Sequence, residues 1–173
     1  MEKAIFLDRD GVINKIIIKN GLPFSPSSFA ELEILPGVKE SILKLQKLNF
    51  LCLVVTNQPD VSRGKIEKKT VIEMNKYLKD EIKLDDFFVC YHDDCKYRKP
   101  KPGLLLEASK KWDINLKKSY IIGDRWKDIE AGKSAGCKTI FIDCNYKEAK
   151  PKNTNFTTDS LLNSVHIIEN NIV

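Results

Sequence analysis

The chain has 173 residues, 42% hydrophobic and 31% charged, the composition of an ordinary soluble protein, and suits one domain spanning 1–173. Its +5 net charge comes mostly from lysines spread along the predicted helices, without the contiguous basic stripe and interleaved aromatics of a nucleic-acid face. The longest apolar runs, such as Leu51–Val55, are far too short to span a bilayer, so no membrane role is expected.

The first strand is Ala4-Ile5-Phe6-Leu7, four apolar residues that read as a strand buried on both faces. It runs into Asp8-Arg9-Asp10-Gly11. In extended chain the two acids point to one side and Arg9 to the other, and Gly11 then permits a sharp turn. Asn14 to Leu35 is irregular, broken by Gly21, Pro23 and Pro26, and reads as a flap or small hairpin overhanging the Asp8 end. Val38 to Leu48 has helical spacing, and Leu51 to Val55 is a second buried strand closed by Thr56-Asn57-Gln58-Pro59. A helix from about Ile66 to Ile82 leads to a third strand, Phe87 to Tyr91, and then to a polar loop from His92 to Pro102. The rest alternates: helix Gly103–Trp112, strand Tyr120–Ile122, helix Trp126–Ala135, strand Thr139–Ile142, an Asn/Lys-rich loop Asp143–Thr158, and a last helix Ser160–Ile168. Strands alternating with helices over short links predict an α/β fold with a doubly wound parallel sheet.

The five cysteines are odd in number and two lie in strand-like runs, which points to reduced thiols and a cytoplasmic location. The early acids interrupt any signal-peptide pattern, so the Asn155-Phe156-Thr157 sequon reads as a chance match. Only four of the 29 basic residues are Arg (Arg9, Arg63, Arg98, Arg125), and all follow predicted strands. Arginine suits a bidentate grip on phosphate, so the placement looks selective.

Right-handed crossovers open the loops after the first four strands on one edge of the sheet. Those loops carry Asp8 and Asp10, Thr56 and Asn57, Arg98 and Lys99, and Asp124 with Arg125 and Asp128. Carboxylates gathered so densely repel one another unless a cation joins them, and hard oxygen ligands select Mg²⁺. Beside a hydroxyl, an amide and several cations, such a centre suits a phosphoryl group. One carboxylate could then attack phosphorus and the other exchange protons with the leaving group and water.

Asp8-Arg9-Asp10-Gly11-Val12, Thr56-Asn57-Gln58, Arg98-Lys99-Pro100 and Gly123-Asp124-Arg125-Trp126-Lys127-Asp128 resemble, in order and spacing, the four motifs of the haloacid dehalogenase superfamily. The resemblance covers about residues 3–145, and within the superfamily it is similar to the group of heptose-bisphosphate and histidinol-phosphate phosphatases. It implies Asp8 as nucleophile and Asp10 as acid and base. It implies Mg²⁺ on the Asp8 carboxylate, the Asp10 backbone carbonyl and Asp124. Thr56, Asn57 and Lys99 would bind the transferring phosphoryl group, and Arg98 and Arg125 the rest of a small phosphorylated metabolite. No separate cap domain is implied, and a monomer is expected. Specificity would fall to the Lys15–Pro26 flap and the Cys90–Pro100 loop.

Members of that group often carry a zinc loop, Cys-x-His followed by Cys-x-Cys. Here Cys90-Tyr91-His92 is followed by Cys95-Lys96-Tyr97, so one thiolate is missing and Asp93 or Asp94 would have to complete four ligands. A degenerate loop is the default, with zinc as the alternative.

Asp128, one turn past Asp124, fits either orientation of the site or a plain exposed helix charge. Gly132-Lys133-Ser134 mimics the end of a phosphate-binding P-loop, but the required first glycine is Lys127. A phospho-receiver module is also α/β with an Asp cluster. It would want its acceptor after the third strand, where this chain has His92-Asp93-Asp94, and its Thr and Lys later than Thr56 and Lys99. A catalytically silent binding protein is disfavoured because no motif residue is missing.

Overall fold

The computed structural model describes residues 1–172. Six strands form one sheet: β1 (Ala4–Leu7), β4 (Leu51–Asn57), β5 (Asp86–Cys90), β6 (Tyr120–Gly123), β7 (Lys138–Ile142) and β8 (Phe156–Thr158). Their order is β5-β4-β1-β6-β7-β8, and every pairing is parallel. Between them run α1 (Val38–Lys47), α2 (Lys68–Ile82), α3 (Gly103–Trp112) and α4 (Trp126–Ala135), with α5 (Leu161–Glu169) last.

β1 is central because it has no polar residue to show to water. Pleating sends Ile5 and Leu7 to one face and Ala4 and Phe6 to the other, all fully buried. Ile5 and Leu7 join a core with Val38, Ile42 and Leu45 of α1, Leu78 of α2 and Val165 of α5. Ala4 and Phe6 join a second core with Leu104 and Leu105 of α3 and Ala131 of α4. Helices therefore cover both faces, as the doubly wound reading expects.

Two findings refine that reading. The flap contains a two-stranded antiparallel hairpin, β2 (Ile17–Lys19) and β3 (Leu22–Phe24). Its turn is Asn20-Gly21, with φ of 54° and 81°, the positive-φ pair that suits the right-handed twist of the strands. The segment read as loop from Asp143 to Thr158 ends in a real strand, β8, hydrogen-bonded to β7 at the sheet edge. Three residues are too few for a pattern to register. What docks them is side-chain chemistry: Asn155 Oδ1 accepts from the Thr139 amide at 2.8 Å and from the Thr139 hydroxyl at 3.0 Å.

Phe6→Ala removes a fully buried ring from the second core and is expected to cost about 3–5 kcal/mol. Urea denaturation measures this; a loss below about 1 kcal/mol would show that the second core is loosely packed.

Candidate active site

β1 and β6 run side by side, and the Asp8 amide continues their ladder by donating to the Ile122 carbonyl at 3.0 Å. Asp8 and Asp124 thereby leave adjacent central strands at the same level. The chain after Asp8 folds tightly back on itself, Ile13 and Asn14 both donating to the Arg9 carbonyl. Gly11, with φ of 87°, turns this loop against Asp124; a Cβ there would lie 2.0 Å from Asp124 Oδ2. No side chain fits that position.

Lys99 reaches in from the loop between β5 and α3. Its ammonium donates to Asp8 Oδ1 at 2.8 Å and to the Val55 carbonyl at 2.7 Å, and it pairs with Asp128 Oδ1 at 2.6 Å. Two hydrogen bonds and an ion pair thus hold the ammonium. Burial alone would favour neutral lysine, but the Asp128 and Asp8 carboxylates outweigh it and keep the ammonium charged. Asp128 Oδ2 also accepts from the Arg125 amide at 3.0 Å, capping the start of α4. Asp128 is therefore a buried part of the cluster, and the exposed-charge alternative is set aside.

One ammonium does not balance this cluster. Carboxylate oxygens of Asp8, Asp124 and Asp128 lie within 4.8 Å of one another, the one such group of three among the described residues. Burial, then the charge of Asp128, pushes the Asp8 carboxyl up to about 6, against the pull of Lys99. Burial, then Asp8 and Asp128, raises Asp124 well above the usual carboxylate range. Asp124 Oδ1 is buried with no hydrogen-bond partner. An orphaned carboxylate oxygen beside a second carboxylate, all short of positive charge, fits a hard divalent cation.

Asp10 shares the cavity with Asp8 but sits in a different environment. Its carboxylate accepts from Arg9, Asn14, Ser25 and Gln58 at 2.8–3.3 Å. Burial would raise its pKa, but the Arg9 charge and the bonds from Asn14 and Ser25 outweigh it and hold Asp10 ionised. The two acids thus differ in proton affinity. Ser25 ties the flap to Asp10, a link that no motif announced.

The other expected site residues divide. Asn57, Lys99, Asp124 and Arg125 line the cavity at Asp8. Arg98 lines an adjoining cavity of about 360 Å³ with Arg63, Arg125 and Lys127. Thr56 is buried behind the cavity wall, its hydroxyl accepting from Gln58 at 3.0 Å. The Asn57 amide also bonds the Lys99 backbone, donating to its carbonyl at 3.0 Å and accepting from its amide at 3.1 Å. Arg9 does not serve phosphate: it is fully buried, gripping Asp10 and donating to Asn75 Oδ1 at 2.9 Å. Arg63 and Arg98 share Asp93, and Arg125 grips Glu148. Lys127 lines both cavities and has no carboxylate within ion-pair distance among the described residues. In the loop after β5, burial and a hydrogen bond with Cys95 push the Cys90 thiol up to about 11. Cys90, His92 and Cys95 do not converge as a three-ligand group.

A family model of haloacid dehalogenase-like hydrolases matches residues 24–142. The chain belongs to that family. Relatives extend the likeness beyond those bounds, over nearly the whole sequence. A D-glycero-beta-D-manno-heptose-1,7-bisphosphate 7-phosphatase of Pasteurella multocida is 31% identical over 98% of both chains. The D-glycero-alpha-D-manno-heptose-1,7-bisphosphate 7-phosphatase of Campylobacter jejuni is 34% identical over 81% of both. Among solved structures, a D,D-heptose 1,7-bisphosphate phosphatase of B. bronchiseptica complexed with magnesium and phosphate superposes with a TM-score of 0.84 over 98% of this chain and 99% of that one. At 24% identity that likeness speaks for the fold. A putative haloacid dehalogenase-like phosphatase from Mesorhizobium loti gives 0.77 at 28% identity, over 96% of this chain and 87% of that one.

Lys99→Met strips the cluster of its internal cation and is expected to destabilise the metal-free protein by about 3–5 kcal/mol at pH 8. A carboxylate whose folded pKa is raised binds protons more tightly when folded, so stability falls as pH climbs through that window. The loss in the variant should therefore shrink toward pH 5. A penalty that stays constant between pH 5 and 8 in denaturation curves would contradict this charge balance.

Proposed function

We propose that the chain is a Mg²⁺-dependent phosphomonoester hydrolase acting through a phosphorylated Asp8. The observation that supports it most is the convergence on Asp8 of the Lys99 ammonium and of the Asp124 carboxylate, one of whose oxygens has no partner, in a cavity that adjoins a cation-lined one. The Asp8 and Asp124 carboxylates, with the Asp10 main-chain carbonyl, would hold Mg²⁺, which when bound supplies positive charge against the phosphoryl oxygens.

Lys99 holds one oxygen of Asp8 and leaves the other to attack phosphorus. The bond from phosphorus to the ester oxygen breaks, Asp10 gives its proton to the departing alkoxide, and an aspartyl phosphate remains. Water then attacks that phosphorus, Asp10 takes the proton back, and phosphate leaves with Asp8 regenerated. The donors around Asp10 favour its ionised form, which suits the second step. For the first, Asp10 must be protonated, and Ser25 and Gln58 are the donors from other segments that a bound substrate can replace.

For substrate we infer a heptose 1,7-bisphosphate, losing its 7-phosphate. The adjoining cavity is lined by Arg63, Arg98, Arg125 and Lys127 with Asp60 and Glu148, and counting the Asp93 that Arg63 and Arg98 share, four cations face three carboxylates. A surplus of cations suits a second phosphate better than the ammonium of histidinol phosphate, the alternative. The relatives divide between α and β anomers, and the anomer is for assay to decide. We further propose one catalytic unit without a separate cap, the β2–β3 hairpin walling the site in its place, working as a monomer in the cytoplasm. All five cysteines are free thiols, and no helix among the described residues is long and apolar enough to cross a membrane. A zinc-free loop at Cys90–Cys95 is part of the same reading; metal analysis of protein never exposed to chelator should find less than stoichiometric zinc.

Asp8→Asn is expected to abolish phosphate release while the circular dichroism spectrum is retained. Chelation should silence the wild type, and added Mg²⁺ restore it. In a panel of sugar phosphates, heptose bisphosphates and histidinol phosphate, a heptose bisphosphate should give the highest kcat/KM. Normal turnover by the Asp8→Asn protein sinks the mechanism; preference for histidinol phosphate sinks the substrate.

A further inference from the structure

Three consecutive residues of the loop between β7 and β8 reach three different parts of the site. The Tyr146 hydroxyl donates to Asp124 Oδ2 at 2.6 Å. The Lys147 amide donates to the Gly21 carbonyl at 2.9 Å, in the turn of the flap hairpin. Glu148 accepts from Arg125 Nε at 2.8 Å and takes a second bond from the same guanidinium. The Asn145 amide, donating to Asp143 Oδ1 at 3.0 Å, and the Lys147 amide hold the backbone on either side of Tyr146, so the position of its phenol does not rest on the bond to Asp124 alone.

Asp124 is buried and crowded. One oxygen would touch any Cβ at Gly11 and is held by Tyr146; the other has no protein partner. A carboxylate with one oxygen fixed and one bare offers its lone pairs in a direction set by the protein. We propose that Tyr146 is a positioning residue that orients Asp124 toward the divalent cation, so that the loop 143–150 completes the metal site. The inference rests on Asp124 being a ligand, as in the function proposed above. Outer hydrogen bonds of this kind tune affinity by fixing the ligand's orientation before the ion arrives.

Tyr146→Phe removes only the hydroxyl and keeps the ring that packs in the loop. Isothermal titration of MgCl₂ into chelator-treated protein should show the dissociation constant rising about tenfold. Phosphatase kinetics should show a matching rise in the Mg²⁺ needed for half-maximal rate, with most of kcat recovered at excess Mg²⁺. The melting temperature in chelator should stay that of the wild type, which separates positioning from a fold defect. Mg²⁺ affinity within about twofold of wild type overturns the inference. Asp124→Asn, titrated alongside, separates the two readings. If it loses Mg²⁺ binding while Tyr146→Phe does not, the positioning role fails alone. If it binds Mg²⁺ as well as wild type, the ligand assignment fails and the inference with it.

Discussion

A single buried ammonium holds this site together. Lys99 joins the end of β1 through Asp8, the end of β4 through the Val55 carbonyl, and the start of α4 through Asp128. Each partner comes from a different stretch of chain, so the ion pairs exist only if the parallel sheet closes in its observed order. A lysine this deeply buried is tolerated because it is hydrogen-bonded twice and paired with two carboxylates. The Asn57 amide grips both sides of the Lys99 backbone, which fixes where that side chain starts.

The cost of the arrangement falls on the carboxylates. Three of them gather where one cation pairs with two, and the imbalance is concentrated on Asp8 and Asp124, whose proton affinities rise. Asp10, two residues beyond Asp8, is surrounded by donors that favour its ionised form. The difference in proton affinity between the two motif acids is thus a consequence of which neighbours the loop after β1 gives to each.

Much of this was legible in the chain itself. The strand at Ala4–Leu7 announced its two-sided burial by having no polar residue, and the Asp8–Asp10 spacing put both acids into one cavity. What escaped has physical reasons. Arg9 sits beside two acids in sequence, yet the same alternation that aims them into the cleft drives it into the interior, where Asn75 on α2 receives it. Asp128 had the right spacing, but its burial depends on Lys99 arriving from 29 residues upstream. Asn57 was expected, on the family resemblance, to bind the phosphoryl group; it lines the cavity, and its amide also holds the Lys99 backbone, a link that no composition rule identifies. The Asp143–Thr158 segment looked featureless because Tyr146 and Glu148 gain meaning only through contacts 22 and 23 residues away.

The central claim is that this geometry exists to make the Asp8 carboxylate a nucleophile. Borohydride reduces an aspartyl phosphate to homoserine, so quenching the enzyme in borohydride during turnover and sequencing its peptides by mass spectrometry reads the claim directly. The account predicts homoserine at position 8, appearing only when substrate and Mg²⁺ are both present. Homoserine at another carboxylate, or none at all in an enzyme that is turning over, would contradict it.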